Sequence, residues 1–328
     1  MSSLIEYASL VASQPWAMHV DYLRNVINGL RLVAGEEASP WAATMKAPKV
    51  SGSIAILPVY GMIQQRGSAM LEWFGGTSTD QLGAVFSAAM RNDQIGGVLL
   101  DVDSPGGTIP GVEELSAKIH AARGTKPIVA ISNSLNASAA YWISSAAERV
   151  FAAPSSDTGS IGVWTAHHDW SKADEMAGIA TTIIQAGRFK TEANPWQPLD
   201  EEARLHMQAR VDQHYADFLG AVARNRGISV GKVKKDFGEG RTLLAKDAAE
   251  AGMVDRIVTK DKLLSEMTGE STKHKSPRAD EAGTAELCAL WDAPAIEAEQ
   301  EEIVPQGGSV DVLRRRMALK QRQTECKS

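Results

Sequence analysis

Ser138 lies in the stretch NASAAYWISS, residues 136–145, with Ala137 before it, Ala139 and Ala140 after it, and the apolar run PIVAIS upstream. A strand, a sharp turn and a helix starting near Ser138 would expose its hydroxyl at a helix N-terminus, where N–H groups stabilise developing negative charge. Small neighbours leave a substrate backbone room to approach. A lone serine at such a place is more simply a helix cap, so its chemistry depends on its company.

Three stretches supply that company. LLDVDSPGGTIPG reads as a strand ending in a Ser-Pro-Gly-Gly turn before a helix, and Gly106 and Gly107 would let backbone N–H groups approach a ligand as an oxyanion hole requires. SSDTGSIGVW places Ser160 in a Gly-Ser-x-Gly element within an apolar strand, and QAGRFKTEANPW sets Lys190 among Phe189, Pro195 and Trp196. A desolvated lysine can act as a general base; a solvated one is an ordinary surface residue. His167, His168 and Asp169 offer a different base, but adjacent strand residues point to opposite faces, so at most one histidine reaches Ser138, with His168 the alternative base. No HExxH spacing or cysteine cluster suggests a metal site.

In order, DVDSPGG, NASAAYWISSAAERVFAAP, DTGSIGV, GRFKTEANPWQPLDEEAR and RTLLAKDAAEAGMVDRI resemble the signal peptide peptidase A family, also called protease IV, over roughly residues 52–260. The resemblance implies a Clp/crotonase-like fold and a Ser-Lys dyad. Ser138 would be the nucleophile, Lys190 its base, Gly107 and the Ala139 amide the oxyanion hole with Gly106 the neighbouring candidate, and Ser160 a supporting hydrogen-bond partner. It also implies a homo-oligomer and no metal or nucleotide cofactor. The Ala-Ser-Ala-Ala turn departs from the family's frequent Ala-Ser-Gly-Gly. A single set of motifs and no membrane anchor point away from leader-peptide cleavage. The opening PWAMHVDYLRNVINGL, the HHDWSKADEMAGI stretch and the polar tail resemble the phage branch, which implies capsid or scaffold proteins as substrates.

The elements that must position these residues are legible as pattern. Short apolar runs SGSIAILPVYGMI, GGVLLDVDS, KPIVAISNS, RVFAAPSS and ATTIIQAG alternate with amphipathic stretches, predicting an α/β core with a largely parallel sheet, to which the Clp/crotonase-like fold implied by the resemblance adds repeated β-β-α units. Leu23, Val26, Ile27, Leu30 and Val33 recur at helical spacing and predict an N-terminal docking helix. A long helix is predicted from Asp200 as N-cap to Gly227, burying Met207, Val211, Tyr215, Phe218, Leu219 and Val222. The expected organisation is a helical extension over 1–50, a catalytic domain over 51–265, and a largely disordered tail over 266–328 with a short docking helix in LRRRMALKQRQ.

The chain has 328 residues, 44% of them hydrophobic and 23% charged, with a net charge of -6, which fits a globular protein and argues against general nucleic-acid binding. Two cysteines, Cys288 and Cys326, make no disulfide framework, and no apolar run approaches the ~20 residues needed to span a bilayer. A cytoplasmic protein is expected, host-cytoplasmic or procapsid-associated if phage-encoded. The expected activity is a serine endopeptidase acting through an acyl-enzyme on capsid or head proteins. The alternatives are a Clp-type Ser-His-Asp peptidase, a signal-peptide or quality-control peptidase, an acyl-CoA enzyme on a related fold, and a non-catalytic scaffold.

Overall fold

The computed structural model describes residues 15–18, 47–67, 71, 75–271 and 281–292. In chain order the elements are β1 (Trp16–Met18), β2 (Lys49–Ser51), β3 (Ile54–Gln64), β4 (Gly76–Ser78), α1 (Thr79–Arg91), β5 (Gly97–Thr108), α2 (Val112–Ala121), β6 (Ile128–Ala137), α3 (Ala139–Ser144), β7 (Arg149–Ala152), β8 (Asp157–Gly159), α4 (Ser171–Met176), α5 (Glu201–Arg226), α6 (Val230–Asp236), β9 (Thr242–Leu244), α7 (Ala245–Ala251), β10 (Arg256–Ile257), α8 (Lys260–Ser271) and α9 (Glu281–Asp292).

The main path of the sheet runs β10-β7-β6-β5-β3-β2, parallel throughout except for β2 at the edge. Its central strands are continuous apolar runs because both faces are covered. Leu57, Leu100, Val102 and Ala130 join the larger core cluster with residues of α1, α2 and α3, whereas Ile54, Leu99, Ile131 and Phe151 pack with Leu263 and Met267 of α8. Successive residues of one strand therefore serve opposite layers.

The long strands break register midway, β3 against β5 between Tyr60 and Met62, β5 against β6 between Val102 and Ser104. Beyond the breaks they take new neighbours: β4 on β3, β1 on β5 and β8 on β6. This doubling of bent strands followed by helices gives the Clp/crotonase-like α/β architecture. The strand expected to end in a Ser-Pro-Gly-Gly turn does not end there. Gly106 and Gly107 stay in the ladder between β3 and β1, and the close approach of β3 explains the glycine, since a Cβ on Gly107 would lie 1.8 Å from the Ile63 carbonyl oxygen.

ATTIIQAG, expected as a strand, forms none. It lies in an arm spanning residues 165–200 whose one regular element is α4, and Ile184 there is 95% exposed. β-propensity yields a strand only where an edge is available to pair and pack against. Helix α5 starts and stops as its sequence indicates, with Asp200 Oδ1 accepting from the Ala203 N–H at 2.8 Å and Gly227 left-handed at φ 66°. Its burial is concentrated toward the C-terminal end, at Phe218, Leu219 and Val222, while Met207, Val211 and Tyr215 are half-buried.

The expected N-terminal helix and the basic docking helix lie outside the described residues. On either side of residues 19–46, β1 and β2 both belong to the sheet. Helix α8 runs across residue 265, and α9, within the stretch read as tail, buries Leu287 and Trp291 in the main core cluster. Gln81 of α1 donates to the Trp291 carbonyl at 3.3 Å. Among the described residues, no helix is long and apolar enough to cross a membrane.

Candidate active site

β6 ends at Ala137 and α3 begins at Ala139, so Ser138 is the hinge between them, as its sequence suggests. The turn is sharper than an ordinary cap. Ser138 has φ 59° and ψ −121°, its side chain caps nothing, and its N–H donates to the Gly159 carbonyl at 2.7 Å. Such a conformation costs an L-residue about 1–3 kcal/mol and persists only where the surroundings impose it.

Those surroundings are a buried polar framework and a packed helix. Asn136 Nδ2 donates to Ser132 Oγ at 2.9 Å and to Ser144 Oγ at 2.8 Å, and Thr158 Oγ1 donates to Ser132 Oγ at 3.0 Å, tying β6, α3 and β8 together behind the nucleophile turn. All six residues of α3 are buried. Trp142 stacks on Phe218 of α5 at 4.4 Å and donates through Nε1 to Glu113 Oε2 at 2.8 Å. Arg123 closes the other end of α3, donating to the carbonyls of Ser145, Ala146 and Ala147 and to that of Asn225. A cation at a helix C-terminus also complements the helix dipole. Tyr141 donates to the Met253 carbonyl at 2.9 Å, and burial pushes its phenol well above the ordinary range.

Ser138 is 1% exposed, and its buried hydroxyl has no hydrogen-bond partner among the described residues. Gly106 lies against it: at φ 95°, a Cβ there would meet the Ala17 carbonyl oxygen at 2.2 Å, Ser138 Cβ at 2.9 Å and the Ala137 carbonyl oxygen at 3.0 Å. Ala139 occupies the first position of α3, where a helix leaves its N–H groups without intrahelical partners. Ser138, Gly106, Gly107 and Ala139 thus come from two adjacent strands and one helix start.

Lys190 is not part of that cluster. It is exposed in the arm, its backbone N–H donates to Gly187 at 3.1 Å, and its side chain makes no bond among the described residues. Ser160, at φ 53°, donates its N–H to Arg241 at 2.8 Å and makes no side-chain bond to Lys190. Residues 165–170 are irregular rather than a strand, so the expected alternation of the histidine pair does not arise. His167 Nε2 lies 3.0 Å from the Asn194 carbonyl, and His168 is exposed with its ring 6.3 Å from that of Trp170; neither bonds to Ser138. Among the described residues, no group of three or more His, Cys, Asp or Glu is placed to hold a metal.

Sequence reasoning passed over Asn136 and Arg123, and it read Trp16–Met18 as part of the PWAMHVDYLRNVINGL opening without placing it near the serine. None of these placements carried a local signal, because the strand of Asn136 also holds Ser132, Asn133 and Ser134 and the partners of the other two are remote in sequence.

Residues 120–273, which include Ser138, Ser160 and Lys190, match peptidase family S49. Capsid assembly protease C of Escherichia phage lambda is 30% identical over 274 residues, 83% of this chain and 62% of the relative. Head-tail preconnector protein GP5 of Enterobacteria phage P21 is 34% identical over 219 residues, 67% of this chain and 43% of the relative. Protease 4 of Haemophilus influenzae is 27% identical over 209 residues, 63% of this chain and 33% of the relative. The chain therefore spans less than two thirds of each of these relatives. Gly106 and Gly107 precede the matched residues and are brought to Ser138 by the tertiary fold.

Proposed function

We propose that this chain is a serine endopeptidase that cleaves extended segments of capsid or head proteins during phage assembly. The observation that carries the reading is Ser138: a serine held at positive φ between strand and helix, its buried hydroxyl unpartnered, beside paired glycines and a helix N-terminus. The S49 match and the relatives named as a capsid assembly protease and a head-tail preconnector protein support the reaction class and the substrate class.

In the proposed reaction, unprotonated Lys190 takes the Ser138 hydroxyl proton as Oγ attacks the scissile carbonyl. The N–H groups of Gly107 and Ala139 receive the oxyanion, and the leaving amine takes the proton back from the lysine as the C–N bond breaks. Water, deprotonated by the same lysine, then hydrolyses the ester. Ser160 is assigned a supporting hydrogen bond to the lysine. Lys190 reaches Ser138 only if the arm folds inward or a second copy supplies it. The exposed apolar side chains of the arm, Met176, Ile179, Ile184, Phe189 and Trp196, fit a surface that a homo-oligomer covers, and covering it would desolvate the lysine as a base requires.

Intact-mass analysis of an unfolded test protein incubated with wild type, Ser138→Ala, Lys190→Ala and His168→Ala tests the assignment. Cleavage by wild type and His168→Ala, with loss in the other two, is expected. Cleavage that survives Lys190→Ala but not His168→Ala would replace the lysine base by a Clp-type histidine.

A further inference from the structure

Trp16–Met18 is a strand with an unusual position. It pairs antiparallel with the end of β5, placing Trp16 opposite Thr108, Ala17 opposite Gly107 and Met18 opposite Gly106. On its other side Trp16 exchanges backbone hydrogen bonds with Trp164, at 2.8 Å and 3.1 Å, and Trp164 Nε1 donates to the Met18 carbonyl at 3.0 Å. Three residues of extended chain are therefore clamped between two edges, a geometry in which main-chain hydrogen bonds give affinity and alternate side chains give specificity.

The clamp lies at Ser138. Because the backbone groups of Trp16 face Trp164, strand alternation turns those of Ala17 toward β5, opposite the proposed oxyanion donor Gly107. The Ala17 carbonyl oxygen and Ser138 Cβ flank the point where a Gly106 side chain would stand. The Ala17 methyl belongs to the same buried cluster as Ala139 and Ala140. Upstream, Pro15 borders a cavity of about 740 Å³ shared with Ile109, Pro110, Trp142 and His214. Trp16, Ala17 and Met18 are 1%, 0% and 2% exposed, and Ser138 is 1% exposed. A serine that attacks polypeptides must be reached by an extended chain, and this one already has an extended chain beside it.

We propose that Trp16–Met18 is an internal peptide ligand, occupying the strand position beside Gly106–Thr108 that a substrate needs, so that the chain holds its own cleft closed until the segment leaves. The inference rests on the peptidase reading for its meaning, and it specifies the substrate class of that site: an extended peptide with a small residue opposite Gly107 and larger side chains on either side, as in Trp-Ala-Met.

The test is a binding measurement on the full chain carrying Ser138→Ala, so that turnover plays no part. The probe is a dye-labelled peptide, QPWAMHVD, with a scrambled peptide as control, read by fluorescence anisotropy. Ala17→Pro removes the N–H that faces β5 and should release the segment. At least tenfold tighter binding of the probe to the Ala17→Pro protein than to its parent, with no gain for the scrambled peptide, is expected; equal affinities would overturn the inference. Hydrogen exchange on the parent protein keeps the test open if the proline variant does not fold. An internal ligand predicts that the Ala17 amide exchanges at least tenfold faster than the Leu100 amide of the central sheet, whereas exchange of both only through a common opening refutes it. Absence of cleavage by an Ala17→Pro protein that keeps Ser138, in which the segment is released, would remove the peptidase reading and leave these binding results unaffected, so the two failures are distinguishable.

Discussion

Replacing Ser138 first by alanine and then by glycine separates two costs that the turn carries. The buried hydroxyl has no partner, and an unsatisfied buried polar group costs about 1–3 kcal/mol. The backbone at φ 59° and ψ −121° costs a further ~1–3 kcal/mol for any L-residue. Ser138→Ala removes the first cost and keeps the second, so it should be more stable than wild type by about 1–3 kcal/mol. Ser138→Gly removes both but adds roughly 0.5–1 kcal/mol of chain entropy, leaving it about 0–2.5 kcal/mol above alanine when these magnitudes are combined. Urea midpoints at fixed protein concentration measure both steps, and thermal midpoints should rise by roughly 2–4 °C per kcal/mol. Both variants should lose cleavage. An alanine variant less stable than wild type would show that the hydroxyl has a partner in solution, and a glycine variant less stable than alanine would show that the turn is not strained. Either result would remove the main reason for treating Ser138 as more than a cap.

Two further outcomes follow from the packing around the site. Arg226, with its side chain 9% exposed, forms a two-pronged bond with Asp255 at 2.8 Å and 3.1 Å, so Asp255→Asn should cost about 3–5 kcal/mol at pH 7 by leaving a buried cation unpaired. Burial alone would raise the Asp255 pKa, but hydrogen bonds from Arg226 and the Val150 N–H, with the charges of Arg226 and Arg149, hold it below the ordinary carboxylate range. A depressed carboxylate stabilises the fold above its unfolded pKa of about 3.9 and loses that contribution as pH falls through its folded value. The gap in urea midpoint between wild type and Asp255→Asn should therefore narrow in acid, and a gap independent of pH would contradict the pairing. Ending the chain after residue 265 should destabilise the core measurably, because it removes Leu287 and Trp291, 1% and 7% exposed; Trp291→Ala alone should cost about 3 kcal/mol in the same denaturation assay.

Much of this arrangement was legible in residue order. The runs around Leu99–Val102 and Ile128–Ile131 are continuous because parallel strands bury both faces, and the caps at Asp200 and Gly227 mark α5 because helix ends leave backbone groups to be satisfied. Ser138 could be placed at a strand-to-helix turn because small residues follow an apolar run. Other features were out of reach for definite reasons. ATTIIQAG has the composition of a strand, but pairing needs a neighbouring edge, and composition does not supply one. Residues 281–292 read as tail because their polar and acidic flanks hide the spacing of Leu287 and Trp291, whose burial depends on α1 standing opposite.

The sequence by itself determined the alternation of strands and helices, the identity of the serine and its glycine company, and the ordered motifs that resemble a peptidase family, because these are local patterns of residue type. Only the tertiary structure decided that Gly106 meets Ser138, that Asn136 and Arg123 brace the turn, that Lys190 is exposed in the arm, and that Trp16–Met18 pairs with Gly106–Thr108. Each of these is a contact between segments far apart along the chain, set by strand register and by which edges remain open, and neither quantity is carried by any residue's own neighbours.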